Sequence, residues 1–107
     1  MSEYVQVTTA TETADQARHI ARLLVEQRLA ACVQVLGPVE STYRWRDAVT
    51  AAGEWLCFAK TRRDRFAEVS CAIRGAHPYE VPEIVATPIV AGSAAYLDWM
   101  DTELAER

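Results

Sequence analysis

The chain predicts an α+β fold of the ferredoxin-like kind: a βαββαβ sandwich with an extra C-terminal helix. Three observations lead there. Apolar residues alternate with polar ones, or run together, in four strand-like stretches, and they recur at helical spacing in three others. The stretches follow the order strand, helix, strand, strand, helix, strand, helix, which is the split βαβ arrangement with a helix added. At 107 residues, half of them hydrophobic, the chain fits a single domain over residues 1–107 with one real core.

The first strand is Tyr4-Val5-Gln6-Val7-Thr8-Thr9, alternating and rich in β-formers. Thr13 and Gln16 then have the spacing of a capping box. Ala17, Ile20, Ala21, Leu24 and Val25 follow at helical spacing, giving an amphipathic helix from about Ala14 to Arg28 with His19 on its polar side. A second strand opens at Ala31, is interrupted by Gly37-Pro38 as by an edge-strand bulge, and resumes from Val39 to Trp45. Arg46-Asp47-Ala48 and Ala52-Gly53 bracket a hairpin loop. Glu54 to Thr61 returns as a third strand, apolar on both faces over most of its length and therefore central.

Asp64 or Thr61 caps the second helix, whose stripe is Phe66, Val69, Ser70 and Ile73 and whose stop is Gly75. Glu83 to Pro88 is a fourth strand, placed at an edge by its terminal proline. Ser93 caps a last helix from Ala94 to about Glu103. Its large residues, Tyr96, Leu97, Trp99, Met100 and Leu104, occupy more than one face, so it should pack on two surfaces. The first and third strands are central, the second and fourth are edges.

The second strand is too long for its neighbours. From Ala31 to Trp45 it spans roughly 50 Å at about 3.3 Å per residue, whereas the first strand offers about six residues for pairing. Ser41 to Trp45 overhangs, with Tyr43 and Trp45 on one face and a free backbone edge. Either a neighbouring subunit covers that edge, or the hairpin pairs with its own third strand and projects.

Bulk properties exclude several functions. The net charge is −4 and no basic patch exists, which argues against nucleic acid as a partner. No apolar run is long enough for a membrane span. Met1-Ser2-Glu3-Tyr4 lacks the features of a signal peptide, so the expected location is cytoplasmic. Cys32, Cys57 and Cys71 form no CxxC pair. Cys32 and Cys57 lie in apolar runs and are expected to behave as small hydrophobes. Cys71 falls off its helix's stripe and has no assigned role.

The chemistry concentrates in His77-Pro78-Tyr79-Glu80-Val81-Pro82-Glu83. Each proline fixes its own φ and biases the preceding residue toward extended backbone, so a helix must stop at or before Ala76. The stretch is a stiff connector holding an imidazole and carboxylates in place. Those are ligand types for zinc or copper. It also reads as a plain helix-to-strand turn.

Leu29-Ala30-Ala31-Cys32-Val33, Tyr43-Arg44-Trp45, Lys60-Thr61, the His77–Glu83 stretch and Ala95-Tyr96-Leu97-Asp98-Trp99 together resemble the CutA divalent-cation-tolerance family. The matches run in register from about Tyr4 to Leu104. The resemblance implies a ferredoxin-like fold assembled as a tight homotrimer, similar in architecture to the PII signalling proteins, and an association with tolerance to copper and other divalent cations. It also places metal near His77. Where some relatives offer a cysteine at the end of the first strand, this chain has Thr8, Thr9 and Thr11, which removes the thiolate that selects Cu(I).

The leading expectation is a non-enzymatic trimer binding a divalent metal or small ligand at subunit clefts. His77 and Glu83 are the metal candidates, with Cu(II) or another divalent cation held weakly. Tyr43, Trp45, Lys60, Tyr79 and Trp99 are the cleft candidates, because polar groups among aromatics suit a small molecule. Each aromatic also reads as core or interface packing, and Lys60 as a salt bridge to Glu80 or Glu83. A structural module that trimerises and anchors another protein is the alternative. Catalysis would need His77 and Glu83 as acid and base, yet no nucleophile motif or glycine-rich phosphate loop is present.

Overall fold

Three strand pairings organise the molecule. In the computed structural model, which describes residues 3–105, Tyr4–Thr11 (β1) pairs antiparallel with Ala48–Arg62 (β3) on one side and with Val85–Pro88 (β4) on the other. Cys32–Trp45 (β2) pairs with the far edge of β3, giving the order β2-β3-β1-β4. The helices are Ala14–Glu26 (α1), Phe66–Ala76 (α2) and Ala94–Leu104 (α3). The expected ferredoxin-like order, with β1 and β3 central, is what the sheet shows.

Alternation in β1 sorts the two faces. Val5 and Val7 point to the helices, where Cys57 and Ala59 join them from β3. Ile20 and Leu24 of α1 and Val69 and Ile73 of α2 close this core. All four are essentially inaccessible, and truncating one such residue to Ala costs about 2–5 kcal/mol. Cys57 fills a core position as expected: its Sγ donates to the Ala17 carbonyl, and burial pushes its thiol up to about 11. Cys32 is half-buried and Cys71 exposed.

Local chemistry sets the helix ends. Thr13 and Gln16 form the full capping box of α1. The helix stops at Glu26, short of the expected Arg28, because Arg28 takes φ 58° and the Leu29 and Ala30 amides fold back on the Leu24 carbonyl. A single 3₁₀ turn, Arg63–Arg65, leads into α2, so neither expected cap operates. Thr61 is buried, donating to the Leu29 carbonyl, and Asp64 pairs with Arg62. Gly75 lies inside α2; the stop is His77, extended before Pro78.

The hairpin differs most from its expectation. The turn is only Arg46-Asp47, both at positive φ (49° and 66°), a two-residue connection whose twist suits a hairpin. Ala48 to Gly53, expected as loop, is strand and pairs with Glu40 to Trp45. Beyond Trp55, β3 has no β1 partner, since Thr11 ends that register. The two strands therefore project as an arm that pairs with itself. The register shift expected at Gly37-Pro38 lies between Leu36 and Val39. There the backbone passes so near Trp55 that a Cβ on Gly37 would sit 2.8 Å from its ring.

The face opposite α1 and α2 is mostly open. Leu36 and Leu56 form one row across it, and Gln34, Phe58, Thr8 and Val85 another. Helix α3 covers one end only. Ser93 caps it, Met100 and Leu104 are buried, and Tyr4 and Leu97 pack alongside. Asp101 ties it down, accepting from the Tyr4 hydroxyl and the Arg62 guanidinium, each at 2.9 Å. Arg28 and Arg65 donate to the carbonyls of Glu103 and Leu104 at its end. One side of α3 is buried and Tyr96 and Trp99 stay exposed, so the expected second packing surface is not covered within the chain.

Candidate functional site

His77 is the C-cap of α2, and Pro78 holds it extended. It is buried beside the end of β1, with Nε2 2.7 Å from the Ala10 carbonyl oxygen. The Tyr79 amide donates to Nδ1 at 3.1 Å. A nitrogen that accepts there leaves the ring proton on Nε2, which donates to Ala10. The imidazole thus pins the stiff loop to the sheet with both nitrogens engaged.

Tyr79, its ring tilted against that of His77 with centroids 4.7 Å apart, extends the loop's reach. Its hydroxyl donates to Oε2 of Glu54 on β3 at 2.9 Å. Burial first, and then this carboxylate, raise the phenol well above its ordinary value, so it remains a donor. Glu54 is only 9% exposed. Its other oxygen has no hydrogen-bond partner among the described residues.

Between the loop and the arm lies a cavity of about 630 Å³. Tyr43 and Trp45 of the arm form one wall, and Tyr79, Glu80, Val81 and Glu83 the other. Glu54 and Ala10 lie at the sheet end. Although Glu83 is exposed as a residue, desolvation of its carboxyl, then the Glu54 charge, pushes its pKa up. At the rim, Arg46 lies over the Trp45 ring, 5.6 Å from its centroid, and reaches Glu80 at 3.6 Å.

Tyr43, Trp45, Tyr79 and Glu83, singled out from the sequence, meet in this cavity. Lys60 and Trp99 do not join them. Lys60 is on the open sheet face at the far end, its ammonium bonded to Gln34 rather than to Glu80 or Glu83. Trp99 packs on Tyr96 of α3, centroids 5.4 Å apart. His77 sits behind Tyr79 and does not line the cavity. Glu54 was not singled out, although a lone carboxylate heading an apolar central strand is a signal, since a buried acid requires a partner.

The donor set of one chain does not fit a resident divalent ion. His77 has no free lone pair in this arrangement. Among the described residues no three His, Cys, Asp or Glu side chains converge as ligands.

Fold and cavity define the class: a ferredoxin-like α+β domain with a projecting hairpin arm and an acidic, aromatic-walled cleft beside a proline-stiffened loop. The family model described as CutA1 divalent ion tolerance protein matches residues 5–103, and the chain belongs to that family. The divalent-cation tolerance protein CutA of Thermus thermophilus is 44% identical over 100 residues, covering 94% of this chain and 95% of the relative. The solved structure titled as the periplasmic divalent cation tolerance protein CutA from Archaeoglobus fulgidus superposes with a TM-score of 0.93 at 34% identity, covering 95% of this chain and 99% of that one. CutA from Xylella fastidiosa gives a TM-score of 0.93 at 32% identity, covering 97% and 100%.

Proposed function

We propose that this chain is a trimeric, non-enzymatic binding protein in divalent-cation tolerance. It takes a small ligand in the arm cavity, at the cleft between subunits, and binds divalent ions such as Cu(II) weakly. The observation that carries this reading is the open sheet face. Leu36, 55% exposed, pairs with half-buried Leu56, and Val85, 49% exposed, lies beyond Thr8 in the row of half-buried Phe58 on the same sheet face. Apolar sheet faces of this kind pack against another layer, and other copies of the chain supply one. The relatives' names supply the link to cation tolerance.

The cavity supports binding rather than catalysis. Ser41 and Thr42 line it, but the nearby imidazole spends both nitrogens on Ala10 and Tyr79 and is not hydrogen-bonded to either hydroxyl. His77 and Glu83 would be the residues to hold such an ion, and the Tyr79 amide already bonded to Nδ1 would keep its affinity low.

Light scattering on the purified protein tests the assembly. The expected mass is about three times the 11.9 kDa chain; a mass near that of one chain at micromolar concentration overturns the trimer and its shared cleft. Calorimetric titration of Cu(II) at about pH 7.5 and about pH 5.5, on wild type and His77→Ala, tests the metal reading. Weak binding that drops with acid and with the substitution is expected. Equal affinity in all four experiments removes His77 as a ligand.

A further inference from the structure

We propose that the arm cavity recognises an organic cation, an ammonium or guanidinium ion carried on an apolar body. This rests on the reading of the cavity as the ligand seat and names the ligand's chemistry.

Charge comes first. Three carboxylates line the cavity, Glu54, Glu80 and Glu83, and none of its lining residues is Lys, Arg or His. Among the described residues, Glu80 alone of the three pairs with a cation, Arg46 at the rim. Glu54 is nine-tenths buried with one oxygen unpartnered, and Glu83 feels its negative charge. Two unneutralised carboxylates facing one partly desolvated space attract a cation and repel an anion.

The walls then separate organic cations from metal ions. A bare divalent ion wants several ligands, and among the described residues no three His, Cys, Asp or Glu side chains converge to hold one. The same lining holds three aromatic side chains, Tyr43, Trp45 and Tyr79, the last bonded to Glu54. Aromatic faces attract ammonium and guanidinium groups through their quadrupole and cover an apolar body at the same time. At about 630 Å³ the cavity is of small-molecule size.

The protein already shows the binding mode at its own rim. The Arg46 guanidinium lies over Trp45 while pairing with Glu80. A free ligand would repeat that combination one layer deeper, with its charge at Glu54 and Glu83 and its body among the rings.

The test compares choline with its uncharged isostere 3,3-dimethylbutan-1-ol, and adds agmatine as a guanidinium probe, by calorimetry and saturation-transfer NMR on the intact native protein. Choline or agmatine is expected to bind and the neutral alcohol to bind at least about tenfold more weakly. Glu54→Gln and Glu83→Gln should each weaken the cation about tenfold, with circular dichroism checking the fold. The wild-type comparison stands even if a variant misfolds. Equal binding of choline and the alcohol overturns the proposal, as does cation binding that neither Gln substitution changes in folded protein. If neither cation binds while Cu(II) does, and Glu83→Gln abolishes it, the organic-cation assignment falls and the cavity remains a ligand seat. If choline, agmatine, the alcohol and Cu(II) all fail to bind, both readings fall.

Discussion

The Tyr79 hydroxyl donates to Glu54 across 2.9 Å, joining the loop after α2 to the root of the arm. The two residues are 25 apart in sequence, and the bond sets the width of the cavity between them. It also gives a nine-tenths buried carboxylate the one hydrogen bond it has among the described residues.

Removing that donor should be felt in stability. Tyr79→Phe keeps the ring and strands the Glu54 oxygen. A hydrogen bond to a charged group contributes about 1.5–3 kcal/mol, and partial solvation of Tyr79 puts the expected loss near the lower end. Urea unfolding with an unchanged slope and a lower midpoint is the expected result; an unchanged midpoint would show that the bond does not hold the loop.

Glu83 should respond to pH in the direction opposite to most carboxylates. Its folded pKa is raised, by desolvation first and then by Glu54. Ionisation therefore costs stability above the folded pKa, and the cost is relieved as pH falls through it. Glu83→Gln should be slightly more stable than wild type at neutral pH, with the difference vanishing on acidification. Thermal melts of both proteins across the acid range check this. A variant less stable at neutral pH would mean that Glu83 has an attractive partner instead.

Asp101 supplies the opposite case. The Tyr4 hydroxyl, then Arg62, holds its carboxyl below the usual range. Its contribution is present above the ordinary value of about 3.9 and is lost as pH falls below that toward the folded pKa. Asp101→Asn should loosen α3 at neutral pH and differ little from wild type in strong acid. Near-ultraviolet circular dichroism of Tyr4 and protease sensitivity of α3 are suitable readouts; a variant as resistant as wild type at neutral pH removes the tether.

Two glycines of the same hairpin should behave differently. A Cβ at Gly37 would meet the Trp55 ring at 2.8 Å, whereas one at Gly53 meets nothing within 4 Å. Gly37→Ala should cost about 1–3 kcal/mol through overpacking. Gly53→Ala should gain about 0.4–1 kcal/mol by restricting the unfolded chain. Denaturant midpoints that move in the same direction would contradict the close approach at Gly37.

Much of the fold was legible because its signals are local. The capping box of Thr13 and Gln16, the Ser93 cap and the stop imposed on α2 by Pro78 each depend on residues within one turn. The arm was not legible as strand. Ala48, Ala51, Ala52 and Gly53 are weak β-formers, and only pairing with β2 holds them extended. The Arg46-Asp47 turn lacked its usual glycine. For the site, residue type identified Tyr43, Trp45, Tyr79 and Glu83 but not which face each would occupy. The same reasoning also gathered Lys60 and Trp99, which strand register and helix phase carry away from the arm cavity within one chain. Glu54 escaped because its partner is distant in sequence.

The arm's isolation has a consequence for timing. Below Trp55, among the described residues, its two strands pair only with each other, away from the rest of the sheet. A lone two-stranded ribbon is marginal in water, so this segment can open without global unfolding, and its backbone protons exchange through that local fraying. Tyr43 and Trp45 ride on it. An occupant must find them in the closed arrangement, and its apparent affinity is scaled by the fraction of time the ribbon spends there. Whatever clamps the ribbon's tip, a neighbouring chain included, therefore tightens the seat without touching the bound molecule.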